Sequence, residues 1–283
     1  LRIAPIFYFI VGLQLAAPAQ MALHPANGGT GKLSVKPFEN KVFIKEQGHF
    51  NEKMANLRGH GSASLTTGMA NGNTSAILFG VENAEFNAYF TAHGITFQFP
   101  ERKNIPEKDR KKINGEPEEK SVETTWHTAT MQWLNTDPSV ELHAEQEQTA
   151  YYNYGGFAND TSYNFVPAYK KLRYTNLYPG VDAEFELPEE GGIKYKFIVH
   201  PNVIIPSIAF QWEGIENCFT DEKGDLHIKS RFDPQSINAA WQLLDHAPIA
   251  VTAFTHADLP VQYKVNGNTV QFQTTQVVVV SQL

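Results

Sequence analysis

The sequence holds a single cysteine, Cys218, so no disulfide can form within the chain and stability must come from its core. A lone thiol in the strand-like context Ile215-Glu216-Asn217-Cys218-Phe219 reads as a small buried apolar side chain. Ten histidines are present, yet none falls into His-x-His, His-Glu-x-x-His or a Cys/His cluster at zinc spacing. No Asp-x-Asp-x-Asp-Gly loop offers oxygen ligands to calcium. No Gly-x-Ser-x-Gly elbow occurs, and its nearest approach, Gly59-His60-Gly61-Ser62, reads as a loop. No metal or cofactor is therefore expected. One sign of charge barely dominates: 23 Lys and Arg stand against 30 Asp and Glu, a net charge of −7. That balance excludes nucleic acid or an anionic membrane as the main partner. Apolar stripes of helical period are also lacking beyond about two turns, which excludes long amphipathic helices.

What the chain has in quantity is aromatic residues and short alternating runs. Its 19 Phe, 11 Tyr and 4 Trp suit pleated sheets, where rings pack across strands. In Val181-Asp182-Ala183-Glu184-Phe185-Glu186-Leu187 the odd positions are apolar and the even ones acidic, the pattern of a strand with two unlike faces. Pro188 to Gly192 then turns the chain into Ile193-Lys194-Tyr195-Lys196-Phe197-Ile198-Val199. Lys194 and Lys196 are placed to face the acidic row across a hairpin. Ile208, Phe210 and Trp212 mark a further strand, and Leu226 and Ile228 another. Val261, Tyr263 and Val265 alternate up to Asn266-Gly267, with Val270 and Phe272 after it, a strong hairpin signal. Upstream, Ala76 to Phe79, Phe86 to Phe90 and Ile95 to Phe99 read as strands, the last two joined by Ala92-His93-Gly94. The expected fold is all-β, an antiparallel sandwich-like architecture in two β lobes with very little helix.

The N-terminal region carries an export pattern. Arg2 precedes an apolar stretch from Ile3 to Ala16, broken at Pro5, Gly12 and Gln14, and Ala17-Pro18-Ala19 gives a small-x-small cleavage site. The stretch is shorter than the roughly 20 apolar residues of a membrane span. Residues 1–19 are thus expected to be a signal peptide, placing the mature chain outside the cell or on its surface without a transmembrane span. Residues 20–34 read as a linker, 35–100 as a smaller N-terminal lobe, 101–121 as a charged loop and 122–283 as a larger lobe followed by further modules. From Glu101 to Lys120 there are seven basic and six acidic residues, a mixture typical of a solvated loop and unlike a nucleic-acid arm.

One stretch, Val166-Pro167-Ala168-Tyr169-Lys170-Lys171-Leu172-Arg173-Tyr174-Thr175-Asn176-Leu177-Tyr178-Pro179-Gly180-Val181-Asp182, resembles the N-terminal β domain of unknown function found in large secreted surface proteins of the Bacteroidetes. The resemblance continues through Ile193 to Pro201, Ile208 to Gly214 and Asp221 to Leu226; Phe43 to Glu52 resembles the family's opening segment and Ala92 to Phe97 one of its strands, with looser matches at Ala247-Pro248 and Leu259-Pro260-Val261. The Trp usual in the family's opening segment is absent here. Such domains often precede β-propeller-like (SBBP-type) repeats, PKD-type modules and a type IX secretion sorting domain. The resemblance implies a secreted, non-catalytic structural or adhesion module of a cell-surface protein.

Three groups of residues are candidates for chemistry. Tyr151-Tyr152-Asn153-Tyr154 precedes glycines and Phe157, and exposed rings stack on sugar faces or partner proteins. Tyr151, Tyr152 and Tyr154 are thus the candidate binding residues, with surface glycans or other cell-surface proteins as partners. Asp182, Glu184 and Glu186 lie on one face of one strand, a spacing some β-sandwich glycoside hydrolases use for an acid and a nucleophile. Lys194 and Lys196 opposite would neutralise that row, so a solvated strand face is expected there. Arg173 and Lys171 are placed to pair with Asp182 or Glu184 at the sheet edge, in a corner built from Tyr169, Leu172, Tyr174, Leu177 and Tyr178.

Overall fold

The computed structural model describes residues 7–15, 41–58, 76–82, 86–106, 112–113, 116–117, 122–155, 161–189, 191–200, 208–229, 242–252 and 257–274. The loop at Gly59 to Ser62, Phe157 and residues 20–34 lie outside them. Strands dominate: β1 (Phe7–Leu15), β2 (Phe43–Lys45), β3 (Phe79–Glu82), β4 (Asn87–Thr91), β5 (Gly94–Asn104), β6 (Lys112–Ile113) and β7 (Glu116–Pro117) form the first part. The long strands β8 (Val122–Leu134), β9 (Glu141–Tyr154) and β10 (Tyr163–Tyr178) follow. Then come β11 (Val181–Glu186), β12 (Ile193–Val199), β13 (Ala209–Glu213), β14 (Asn217–Thr220), β15 (Leu226–Lys229) and β16 (Gln242–Asp245). The series ends with β17 (Ile249–Thr252), β18 (Asp258–Leu259), β19 (Val261–Asn266) and β20 (Thr269–Thr274). Among the described residues one helix occurs, α1 (His49–Arg58).

Apart from the small β6–β7 ladder, the strands form one curled antiparallel sheet. Pairing runs β12–β11–β10–β2–β3–β4–β5–β8–β13–β20–β19, and β19 follows β18 directly in the chain. β18 pairs with β17, and β17 with β1, which returns to β12. The circuit is thus completed through the chain between β18 and β19, where no ladder runs. β9 pairs only with β10 among the described strands and forms an edge, while β14, β15 and β16 extend from β1. Two layers of this curled sheet face one another, as a sandwich does. Their rings interlock: Phe90 of β4 packs on Phe185 of β11, Trp133 of β8 on Phe197 of β12, and Phe197 on Phe272 of β20. Burial of such rings is the main favourable contribution, about 25 cal/mol per Å² of apolar surface.

The expected hairpins are present. Glu184 pairs with Lys196 and Glu186 with Lys194 across β11 and β12. Pro179 and Gly180 make the turn into β11, with Gly180 at φ 71°. The last hairpin differs from the Asn266-Gly267 expectation by one residue. Asn266 pairs with Thr269 as the final strand residue, and the turn is Gly267-Asn268, with Gly267 at φ 59° and Asn268 outside the positive-φ set. A glycine at the first central position is what such a two-residue turn needs.

Within the apolar segment read as a leader, residues 7–15 form β1, hydrogen-bonded on both sides. Residues 101–104, assigned to a charged loop, continue β5, with Glu101 opposite Thr125 and Asn104 opposite Val122. That ladder carries β5 and β8 across the supposed lobe boundary. Phe97 from the N-terminal side packs on Trp212 from the C-terminal side, so a single core spans both.

Candidate functional site

Three side-chain constellations stand out, and the first lies on β10, β11 and β12. Val181, Ala183 and Phe185 turn one face of β11 to the core, and the acidic residues occupy the other. That second face is not solvated as expected: Asp182 and Glu184 are 4% and 5% exposed. The physical reason is the cover supplied by long basic side chains lying across the sheet. Arg173 donates from Nη2 and Nε to Asp182 Oδ2 (2.9 and 3.3 Å) and from Nη1 to Glu184 Oε1 (3.1 Å). Lys196 Nζ reaches Glu184 Oε2 at 2.8 Å, and Lys171 Nζ bridges Glu184 and Glu186 at 3.3 and 3.1 Å. Lys171 and Arg173 therefore make the pairs expected of them, but in mid-sheet, between β9 and β11, and not at an edge.

Asp182 has further partners. The backbone N–H of Asn176 donates to its Oδ1 at 2.9 Å, and His200 Nε2 lies 3.1 Å from Oδ2. Asn176 sits at φ 53°, inside the register shift between Tyr174 and Tyr178; the bulge aims its N–H at the carboxylate. Burial alone would raise both carboxyls. Asn176, Arg173 and His200 outweigh it for Asp182, and Lys196 and Lys171 outweigh it for Glu184, so both are held below the ordinary carboxylate range.

The second constellation joins α1 to the end of the β9–β10 hairpin where Tyr154 pairs with Tyr163. Glu46 caps the helix: Oε1 accepts from the N–H groups of Gly48 (2.8 Å) and Asn51 (3.3 Å), and Oε2 from that of Phe50 (2.9 Å). Gly48 holds φ 121°, and a Cβ there would lie 2.7 Å from the Tyr163 ring, so only glycine fits. His49 is buried and stacked on Tyr154 at 4.0 Å. Burial, helped by Lys53, pushes its imidazole down to about 4. Tyr163 donates to Glu52 Oε2 at 2.9 Å. Replacing Glu46 by Ala is expected to lower stability by about 1–2 kcal/mol, read as a shift of the urea midpoint, with Gln retaining part of the cap.

The candidate tyrosines divide between two faces of β9. Tyr152 and Tyr154 are half-buried against the cluster of Phe50, Tyr89 and Val166. Tyr151 faces outward at 53% exposure. Its ring lies 4.8 Å from that of Phe165, which is 69% exposed. Phe165 holds φ 57°, and its N–H donates to Asn153 Oδ1 at 2.9 Å. A bulky residue in the left-handed region is an outlier and marks a backbone over-determined by its surroundings. Sequence reasoning missed Phe165, since simple alternation does not foresee the bulge between Tyr163 and Val166.

The third constellation is buried. Tyr195 donates to Asp245 Oδ2 at 2.7 Å, and the Tyr263 hydroxyl donates to His246 O at 3.3 Å. Burial drives Asp245 up to about 7, against the opposing pull of the Tyr195 and Tyr263 hydroxyls. Cys218 is buried with its Sγ directed at Gly267 O, and burial raises its thiol to about 11, which keeps it unreactive. Among the described residues no group of three or more His, Cys, Asp or Glu side chains is placed to hold a metal ion. No helix among them is long and apolar enough to cross a membrane.

A curled antiparallel sheet with a ring-filled core and an exposed aromatic pair defines an all-β, sandwich-like domain. Residues 43–280 match the DUF7948 domain of unknown function, and the chain belongs to that family. No curated protein and no solved structure matches the chain.

Proposed function

We propose that this chain is an exported, non-catalytic structural or adhesion module of a bacterial cell-surface protein, binding through the Tyr151–Phe165 pair. The observation that carries the reading is the exposed Phe165 ring, held in a left-handed backbone beside Tyr151. Two exposed rings fixed at a hairpin end suit stacking on a sugar face or an aromatic-seeking protein surface. The leader pattern in residues 1–19 and the resemblance to secreted domains of the Bacteroidetes support a location outside the cell and a type IX export route. A hydrolytic role for the acidic row lacks such support. A general acid must keep its proton near neutral pH, whereas Glu184 is held ionised by Lys196, Lys171 and Arg173.

Surface glycans are the first partner class to test, on a glycan array with the full chain. Tyr151→Ser with Phe165→Ser is expected to weaken binding at least about tenfold, in line with aromatic anchors that dominate contact surfaces, while the melting temperature holds. Binding that survives the double change, or no glycan bound at all, would remove carbohydrate as the ligand. Hydrolysis of β-glucan lost on Glu184→Gln with Glu186→Gln would overturn the non-catalytic reading.

A further inference from the structure

Among the described strands, one segment alone bridges β12 to β16 and β17. β12 pairs with β11 and β1, β16 with β15 and β1, and β17 with β18 and β1. β1 runs antiparallel to both walls. Phe7 to Leu13 lie opposite Val199 to Ile193 on one side; Phe7 to Ile10 lie opposite Thr252 to Ile249 on the other, and Leu13 to Leu15 opposite Asp245 to Leu243. The register sets Phe7, Phe9, Val11 and Leu13 in the rows of Val199, Phe197, Tyr195 and Ile193, all four of which are buried. The slot is therefore one strand wide, with an edge of β12 on one side and edges of β16 and β17 on the other.

Two observations make that removal relevant. The matched domain spans residues 43–280 and excludes β1, and β1 lies inside the segment whose Ala17-Pro18-Ala19 pattern signals cleavage. Exposed strand edges are templates for another chain, and sealing them with an added strand is an established mode of recognition.

We infer that the gap between β12 and β16–β17, which residues 7–15 fill in this structure, is a strand-accepting site for a partner polypeptide in the chain from which they have been removed. The partner supplies an extended segment of about nine residues, antiparallel to both walls, with apolar residues at every second position. The inference rests on the export reading, since an uncleaved chain fills its own slot. Specificity comes from parity: a donor shifted by one residue puts its polar set toward the buried row.

The test uses the full chain, folded first, carrying a protease site between residues 20 and 34. After cutting, a labelled peptide with the sequence of residues 7–15 and a charged tail is expected to exchange into the slot. A peptide with Asp at the positions of Phe9 and Val11 is expected to bind at least about tenfold more weakly, because both pair in register with the buried Phe197 and Tyr195. Failure of the labelled peptide to exchange overturns the inference. So does loss of the cut segment with the amides of residues 193–199 still protected, which means the walls have closed on each other, or pairing of two cut chains through this edge. The export reading is scored separately, by the mass of the secreted protein. Retention of residues 1–19 sinks that reading while the exchange assay still reports on the slot.

Discussion

Replacing Asp245 by Asn is expected to stabilise the domain by about 2–3 kcal/mol more at pH 8 than at pH 5. The folded carboxyl titrates at about 7 because burial opposes its charge, whereas the same group in the unfolded chain titrates near 4. Between these values the unfolded chain releases a proton that the native protein keeps. This group's contribution is therefore most favourable in acid, falls as pH rises through that window, and levels off above about 7. Asn cannot ionise and can still accept from Tyr195, so the decline disappears. Urea midpoints of both proteins at the two pH values measure the difference. An equal offset at pH 5 and pH 8 would show that Asp245 is not buried as a neutral acid. His49 works the other way: with its imidazole pushed down to about 4, it lowers stability as pH falls from about 6.5. The wild-type curve mixes the two, and only the variant difference isolates Asp245.

Arg173→Met is the second large effect, expected to destabilise by roughly 2–4 kcal/mol, since it strips a cation from two buried carboxylates. Glu184 keeps Lys196 and Lys171, but Asp182 is left with Asn176 and the half-exposed His200. Arg173→Met combined with Asp182→Asn is expected to recover part of the loss, because the unpaired charge goes with its partner. Both carboxyls are held low in the folded state, so the stability they lend is present above the unfolded carboxylate range and lost as pH falls through their depressed values. Chemical denaturation of the three proteins at pH 7 and in acid checks both points. A double variant weaker than Arg173→Met alone would mean that packing of the guanidinium stem, and not charge, is what counts.

Most strands were legible because their side chains alternate within the segment itself. Val181 to Leu187 and Ile193 to Val199 announce both their extended form and their pairing, down to Glu184 opposite Lys196. What alternation cannot give is the identity of a neighbour distant in sequence. The cover over Asp182 and Glu184 comes from β10, so the row reads as wet although it is buried. Tyr152 and Tyr154 share a parity that is plain in the sequence. Which parity faces inward is decided by α1, whose polar sequence His49 to Arg58 shows no apolar stripe and whose start depends on the Glu46 cap. The exposure of Phe165 comes from a bulge that no turn residue signals. Residues 7–15 are ambiguous for a different reason: an apolar run of that length satisfies the demands of a leader and of a buried strand alike.

The curled sheet also bears on assembly. Its strand β1 pairs residue 7 with residues 199 and 252, so this ladder joins segments remote from each other in sequence. Contacts this remote in sequence make loop-closure entropy a dominant barrier, and they slow folding in proportion to contact order. Until that ladder forms the sheet is open and threadable, and a strand entering between β12 and β17 is what joins the two walls.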